Sequence, residues 1–141
     1  MDLDLLRNIF LDAHVLDIDF SDWDTGIRLL VVGTELPVDS RNRLPVFIVE
    51  FQGVRDFGVT FAHLDNPLRE GHYQWRAHTF SVDTEGAQHR VRLSGSKLFP
   101  TIALTCREID VRPVDQDVLS KTFADWDHPG GPLVRPGIER A

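Results

Sequence analysis

The sequence predicts a mainly β, single-domain antiparallel meander, folded as one curved sheet or a two-sheet sandwich, with a short N-terminal helix. Three observations carry this. Apolar residues alternate with polar ones through most of the chain, the period of a half-buried strand. The apolar runs are short and bounded by Gly, Pro, Asn and Asp. Apart from one pentapeptide echo there is no internal repeat, which excludes solenoids and propellers. A chain of 141 residues suits one domain. Residues 1–127 read as the β domain and 128–141, rich in Pro and Gly, as a tail.

The elements can be justified in order. Leu5, Leu6, Ile9 and Phe10 recur at helical spacing, predicting a helix over about 2–12. In "HVLDIDF" Leu16, Ile18 and Phe20 alternate with Asp17 and Asp19, the pattern of a strand with one wet face. The run Ile27–Val32 barely alternates and is expected to be buried on both faces. Residues 34–45 read as the longest loop and a candidate for mobility. "VFIVEFQG" and "FGVTFAH" look like a hairpin about Gly53.

The next pair, "HYQWRAHTFSV" and "AQHRVRLSG", sets Val82 opposite His89 or Ala87. Either pairing puts Phe80, Val82, Val91 and Leu93 on one face, with Arg76, His78 and His89. In "TIALTCREIDV" the apolar parity shifts between Cys106 and Ile109, predicting a bulge near Arg107 and Glu108. A short helix capped by Asp115 is expected after Pro113.

Charge is unevenly placed. The net charge is −7, with residues 1–27 contributing −6 and residues 108–127 contributing −4, while 28–107 is slightly positive. An acidic chain without clustered Lys and Arg is a poor nucleic-acid binder. No run of apolar residues is long enough to span a membrane. The acidic opening "MDLDLLRNIF" does not resemble a secretory signal. The lone Cys106 permits no internal disulfide, so the expected location is cytoplasmic, and it reads as a buried, inert thiol.

Phosphate-loop, dinucleotide, H-E-x-x-H and C-x-x-C motifs are all missing, and no cofactor is expected. His72 and His78 would lie about 20 Å apart on a strand, too far for one ion. His78 and His89 could meet across the hairpin, but no third ligand is evident, so no metal site is assigned.

Each acidic end of the chain holds one copy of a pentapeptide, "FSDWD" at 20–24 and "FADWD" at 123–127. In an extended segment residues i and i+2 share a side, so Asp22 with Asp24 and Asp125 with Asp127 make carboxylate forks. One reading gives each Phe to the core and each Asp to a turn. The other makes Asp19, Asp22, Trp23, Asp24, Asp125, Trp126 and Asp127 a single acidic, aromatic surface for a basic protein partner. Two further readings remain open. One is a small metal-dependent hydrolase using the forks and His128. The other is a homodimer joined through sheet edges or through Tyr73 and Trp75.

The stretch "FLDAHVLDIDFSDWDTGIRLLVVG", a short helix leading to a strand, an acidic turn and an apolar strand, resembles immunity proteins of bacterial polymorphic toxin systems. The later "LTCREIDVRPV" resembles the closing strand of such domains. The resemblance covers the first strand pair and the last strand. It implies a non-enzymatic binding module that neutralises a toxin, and it carries no catalytic residues. The pentapeptides are not part of the resemblance.

Overall fold

The computed structural model describes residues 2–19, 26–60, 76–95, 100–115 and 117. Among them run α1 (Leu3–Phe10), β1 (Ala13–Asp19), β2 (Gly26–Val32), β3 (Val46–Gln52), β4 (Arg55–Thr60), β5 (Arg76–Glu85), β6 (Gln88–Gly95), β7 (Thr101–Cys106) and β8 (Glu108–Pro113). All eight strands join one antiparallel sheet, in the order β4-β7-β6-β5-β1-β2-β3-β8. The fold is mainly β and a single domain, as the alternation predicts.

The order and the connections together dictate the shape. The sheet is open in that β4 and β8 each have one neighbour. Yet β3 and β4 stand six strand spacings apart and are joined by Gly53 and Val54 alone. Six spacings in a flat sheet would be about 29 Å. Three Cα–Cα steps reach at most about 11 Å. The same mismatch holds for β7 and β8, joined by Arg107. The sheet must therefore roll until its two ends meet.

In effect β3–β4 and β7–β8 are two long strands that bend together. They pair before the bend (Phe51 with Ile109, Gln52 with Glu108) and after it (Arg55 with Thr105). Arg107 N–H donates to Gln52 O at 2.9 Å inside the bend. Gly53 turns there with φ +67°, and a Cβ on it would lie 2.4 Å from Arg107 Nε. Two sequence expectations are corrected by this corner. "VFIVEFQG" and "FGVTFAH" do not form a hairpin, because Gly53 turns the chain away from β3 and Val54 drops into the core. The parity change near Arg107 is a corner between two strands rather than a bulge within one.

The rolled inner face holds one core. Val15, Ile27, Leu29, Val49, Phe51, Val91, Leu93, Ile102, Leu104 and Ile109 all belong to it. Helix α1 closes the shell where β1 and β5 share only two residue pairs. Asp2 caps it, its carboxylate accepting from Leu5 N–H at 3.0 Å. Leu6, Ile9 and Phe10, spaced for one helix face, are fully buried. The Phe10 ring stacks on Phe80, with centroids 4.8 Å apart. The chain then reverses through Asp12, whose φ is +54°.

Three irregularities re-aim side chains. A register shift between Val15 and Asp17 keeps Val15 and Ile18 inside and turns Leu16 to the outer face, where the simple alternation would put Leu16 in the core. A shift between Ala77 and Thr79 buries Ala77 and leaves His78 exposed, off the apolar face expected for it. Another shift lies between Arg55 and Gly58. In the β5–β6 hairpin Val82 faces Val91, closed by a two-residue turn in which Gly86 has φ +63°. The expected partners, His89 and Ala87, are thus displaced by even steps. An even slip keeps every side chain on its face, so Phe80, Val82, Val91 and Leu93 share one side as anticipated.

The loop after β2 carries hydrogen bonds of its own. Gly33 N–H donates to Pro45 O at 3.0 Å, and Asp39 N–H to Arg43 O at 2.9 Å. Val38 and Leu44 pack with Leu16, Leu30, Val32, Val46 and Val114 over the outer face of β1, β2 and β3. β2 is accordingly covered on both sides from Leu29 to Val32, whereas Arg28 leaves its outer face exposed, against the double burial expected for the whole run.

Two glycine substitutions test the tightness of the shell. A Cβ on Gly95, opposite Ala77 at the β5 irregularity, would lie 1.9 Å from Arg76 O, whereas one on Gly58 meets nothing within 4 Å. Gly95→Ala should cost about 2 kcal/mol or more in urea denaturation. Gly58→Ala should stay within about 0.5 kcal/mol of the parent.

Candidate functional site

The outer face of β1, β2, β3 and β8 carries a row of charge set by register. Asp19 pairs with Arg28, Arg28 with Glu50, and Glu50 with Asp110, so four strands place four charged side chains side by side. The next row along the strands runs Asp17, Leu30, Ile48 and Arg112. Beyond Glu50 in the other direction, Gln52 faces Glu108. Carboxylates outnumber guanidinium groups on this surface, and Asp17, Glu108 and Asp110 are exposed.

Arg28 organises the centre. Its Nε–H donates to Glu50 Oε2 at 2.5 Å, and its other arm lies 4.0 Å from Asp19 Oδ2. Gln52 Nε2–H donates to Glu50 Oε1 at 2.6 Å. The Gln52 and Arg28 hydrogen bonds hold the Glu50 carboxyl below its ordinary range, against partial burial. Arg112 Nε sits 3.3 Å from Asp110 Oδ2. Glu50 is therefore a fixed, satisfied anion, while the outer carboxylates remain available to solvent.

A second network holds the loop beside this face. Arg43, only 9% exposed, donates to Asp39 Oδ2 at 2.9 Å and to Asp117 Oδ1 at 3.2 Å. Burial alone would raise the Asp39 pKa. The Arg43 backbone and side-chain hydrogen bonds, with the Arg41 N–H, outweigh it and lower the value. Asp115 Oδ1 accepts from Asp117 N–H at 2.9 Å, the capping geometry expected of Asp115.

A third cluster surrounds Asp12. Arg76 donates to Asp12 Oδ2 at 2.6 Å, His78 Nε2 lies 3.5 Å from Asp12 Oδ1, and Thr34 Oγ1 donates to Asp12 O at 2.7 Å. These contacts tie the α1–β1 turn to β5. His89 Nδ1 bonds Thr84 Oγ1 at 2.9 Å, far along the hairpin from His78, so the two histidines do not meet. Among the described residues no group of three or more His, Cys, Asp or Glu is arranged to hold a metal ion. Burial pushes the Cys106 thiol up to about 11, which keeps it protonated and unreactive, as its place on the apolar side of a strand predicts.

Of the predicted surface residues the structure describes Asp19, which faces outward at the end of β1. Asp22, Trp23, Asp24, Asp125, Trp126 and Asp127 lie outside the described residues, as do Tyr73, Trp75 and His128. The exits toward the two pentapeptides can be compared. β1 runs toward Asp19, whereas β8 runs the opposite way and ends beside Val46, where Val114 N–H donates to Val46 O. The exits are thus about 14 Å apart along β3. Asp117 and Trp126 are nine positions apart in the sequence, a segment that can span about 30 Å. Sequence reasoning missed Asp17, Glu50, Glu108 and Asp110 as members of the acidic face. Their parity within each strand was readable, but the β3–β8 pairing that gathers them was not.

No family model matches the sequence, and no curated protein matches it. Among solved structures, an uncharacterized protein from Neisseria gonorrhoeae is similar, with a TM-score of 0.50 at 12% identity, covering 77% of this chain and 97% of that one. At that identity the likeness is one of fold alone. Among the described residues no helix is long and apolar enough to cross a membrane.

The bonded carboxylates fix a pH dependence. Asp39 and Glu50 titrate below their ordinary values of 3.8 and 4.5, so their stabilisation is complete above those values and is lost as pH falls through the lower, folded ones. The melting temperature should decline between about pH 5 and about pH 3. Glu50→Gln should be less stable than the parent by about 1 kcal/mol at neutral pH, with the gap closing in acid.

Proposed function

We propose that this chain is a non-enzymatic protein-binding module whose acidic sheet face meets a basic partner, in the manner of an immunity protein neutralising a basic toxin. The observation that carries the reading is the row through Asp19, Arg28, Glu50 and Asp110, flanked by Asp17 and Glu108. Carboxylates on a rigid sheet are pre-organised, so a basic partner meets them with little loss of side-chain freedom. Charge of one sign speeds encounter, and aromatic anchors supply affinity once contact is made.

The two Phe-x-Asp-Trp-Asp segments are the anchors in this reading. Asp19 is the last residue of β1 before the first copy, so Asp22, Trp23 and Asp24 follow directly from the acidic row. The residues from 117 to 126 are long enough to return Asp125, Trp126 and Asp127 to the same face. The reading places the protein in the cytoplasm, in keeping with one buried thiol and no partner for it to oxidise with. It needs no cofactor.

Affinity capture with the full chain, read by mass spectrometry, tests the proposal. A basic protein should be retained by the parent and lost with the double variant Asp17→Lys, Asp110→Lys, and its association rate should fall as salt rises. Trp23→Ala and Trp126→Ala should each weaken capture by about tenfold or more, chiefly through faster dissociation. Retention unaffected by salt and by both charge reversals would sink the reading.

A further inference from the structure

Past the corner at Gly53 and Arg107, the outer face formed by β4, β7 and β6 has the reverse character. Arg90 and Arg92 project from β6, two residues apart, and Arg55 from β4. Register aligns them: Arg90 faces Thr105 on β7, and Thr105 in turn faces Arg55. Arg92 faces Ala103, and Ala103 faces Gly58. The second row is therefore low, and a Cβ added at Gly58 would stand in open space. The result is a shallow trough with a small-residue floor, rimmed by three guanidinium groups.

Among the described residues these arginines share with Arg7 and Arg107 the lack of an ion pair, and differ in standing together on one face. Arg28, Arg41, Arg43, Arg76 and Arg112 each lie within ion-pair distance of a carboxylate. Arg55, Arg90 and Arg92 are exposed and make no ion pair among the described residues. Asp83 stands opposite Arg90 across the β5–β6 ladder without bonding it, and Glu85 lies beyond. In a protein of net charge −7, these three guanidinium groups hold no carboxylate although Asp56 adjoins Arg55 on β4, which leaves their hydrogen-bonding forks open to an anion.

From this geometry we infer a second docking surface, specific for an acidic polypeptide segment of a partner protein, on the β4–β7–β6 face. The guanidinium fork matches a carboxylate bidentately. Arg90 and Arg92 are spaced about 7 Å along one strand, the same repeat as alternate side chains of an extended peptide. A single nucleic-acid strand fits less well. The floor of Ala103, Thr105 and Gly58 offers no aromatic ring for base stacking, and Asp83 and Glu85 would oppose a continuous phosphate backbone. This surface is independent of the acidic face, and either can fail without the other.

The test is fluorescence anisotropy with a labelled, end-capped peptide of alternating glutamate and serine, at low salt. The full chain should bind it in the micromolar-to-millimolar range, more weakly as salt rises. The triple variant Arg55→Ser, Arg90→Ser, Arg92→Ser should lose about tenfold or more in affinity, and Arg112→Ser, on the other face, should lose little. Unchanged far-ultraviolet dichroism and melting temperature would show that the variants remain folded. The inference is overturned if the peptide fails to bind up to about 1 mM, or if the triple variant binds as the parent does. It is equally overturned if a single-stranded oligonucleotide uses the same arginines more tightly than the peptide.

Discussion

The corner at Gly53 and Arg107 is the constraint on which the rest of the molecule depends. Two strands that bend together while staying paired force every strand between their ends to curl the same way. Backbone conformation and packing cooperate there. Gly53 adopts a φ that a side chain would resist, and the Arg107 side chain lies over it so closely that it would have to swing aside for a Cβ. The Arg107 N–H bond to Gln52 O keeps the ladder continuous through the turn. A flat sheet of these strands would expose its apolar face along its whole length. The rolled one needs only α1 to finish the closure, and Phe10 does so against Phe80.

A rolled sheet leaves its chemistry on the outside. Its interior is filled by aliphatic and aromatic side chains, with Cys106 inert among them. The outer surface is not uniform. The loop pinned by Arg43 to Asp39 and Asp117 covers the apolar part of the β1–β2–β3 face, and leaves the charged row through Glu50 uncovered. Past the corner, the β4–β7–β6 face bears arginines over small residues. The two faces adjoin at the corner, where only Gly53 and Val54 separate Gln52 from Arg55, and they bear opposite charge on either side of it.

Local features were legible in the sequence, and pairings over long separations were not. The helix was readable from Leu6, Ile9 and Phe10, and the double burial of the second half of β2 from the apolar run Leu29–Val32. The β5–β6 face survived an error in register because the error was an even number of residues. By contrast, Leu16 and His78 were assigned to the wrong face, since each sits at an irregularity that reverses parity, and no local residue announces it. The corner was half visible, as a glycine after β3 and a parity change after β7. Neither signal says that the two bends are hydrogen-bonded to each other across more than fifty residues. The acidic row was hidden for the same reason. Asp19 and Asp110 become neighbours only through β2 and β3.

Net charge and local charge then make different demands on partners. The −7 total repels any polyanion at long range and draws cations toward the domain, so encounter is biased toward the acidic face. Screening confines that bias to the first nanometre or so. Within contact distance an anion on the β6 ladder feels Arg90, Arg92 and Arg55 together, with Asp83 opposite Arg90 and Asp56 next to Arg55 as opposing charges. A short acidic segment carries too little charge to be excluded at long range, and can collect all three guanidinium contacts. A long nucleic-acid strand brings its whole phosphate charge against the domain's net negative field before any arginine is reached. The sign of the whole molecule thus selects the size of the anion that the arginine face can accept.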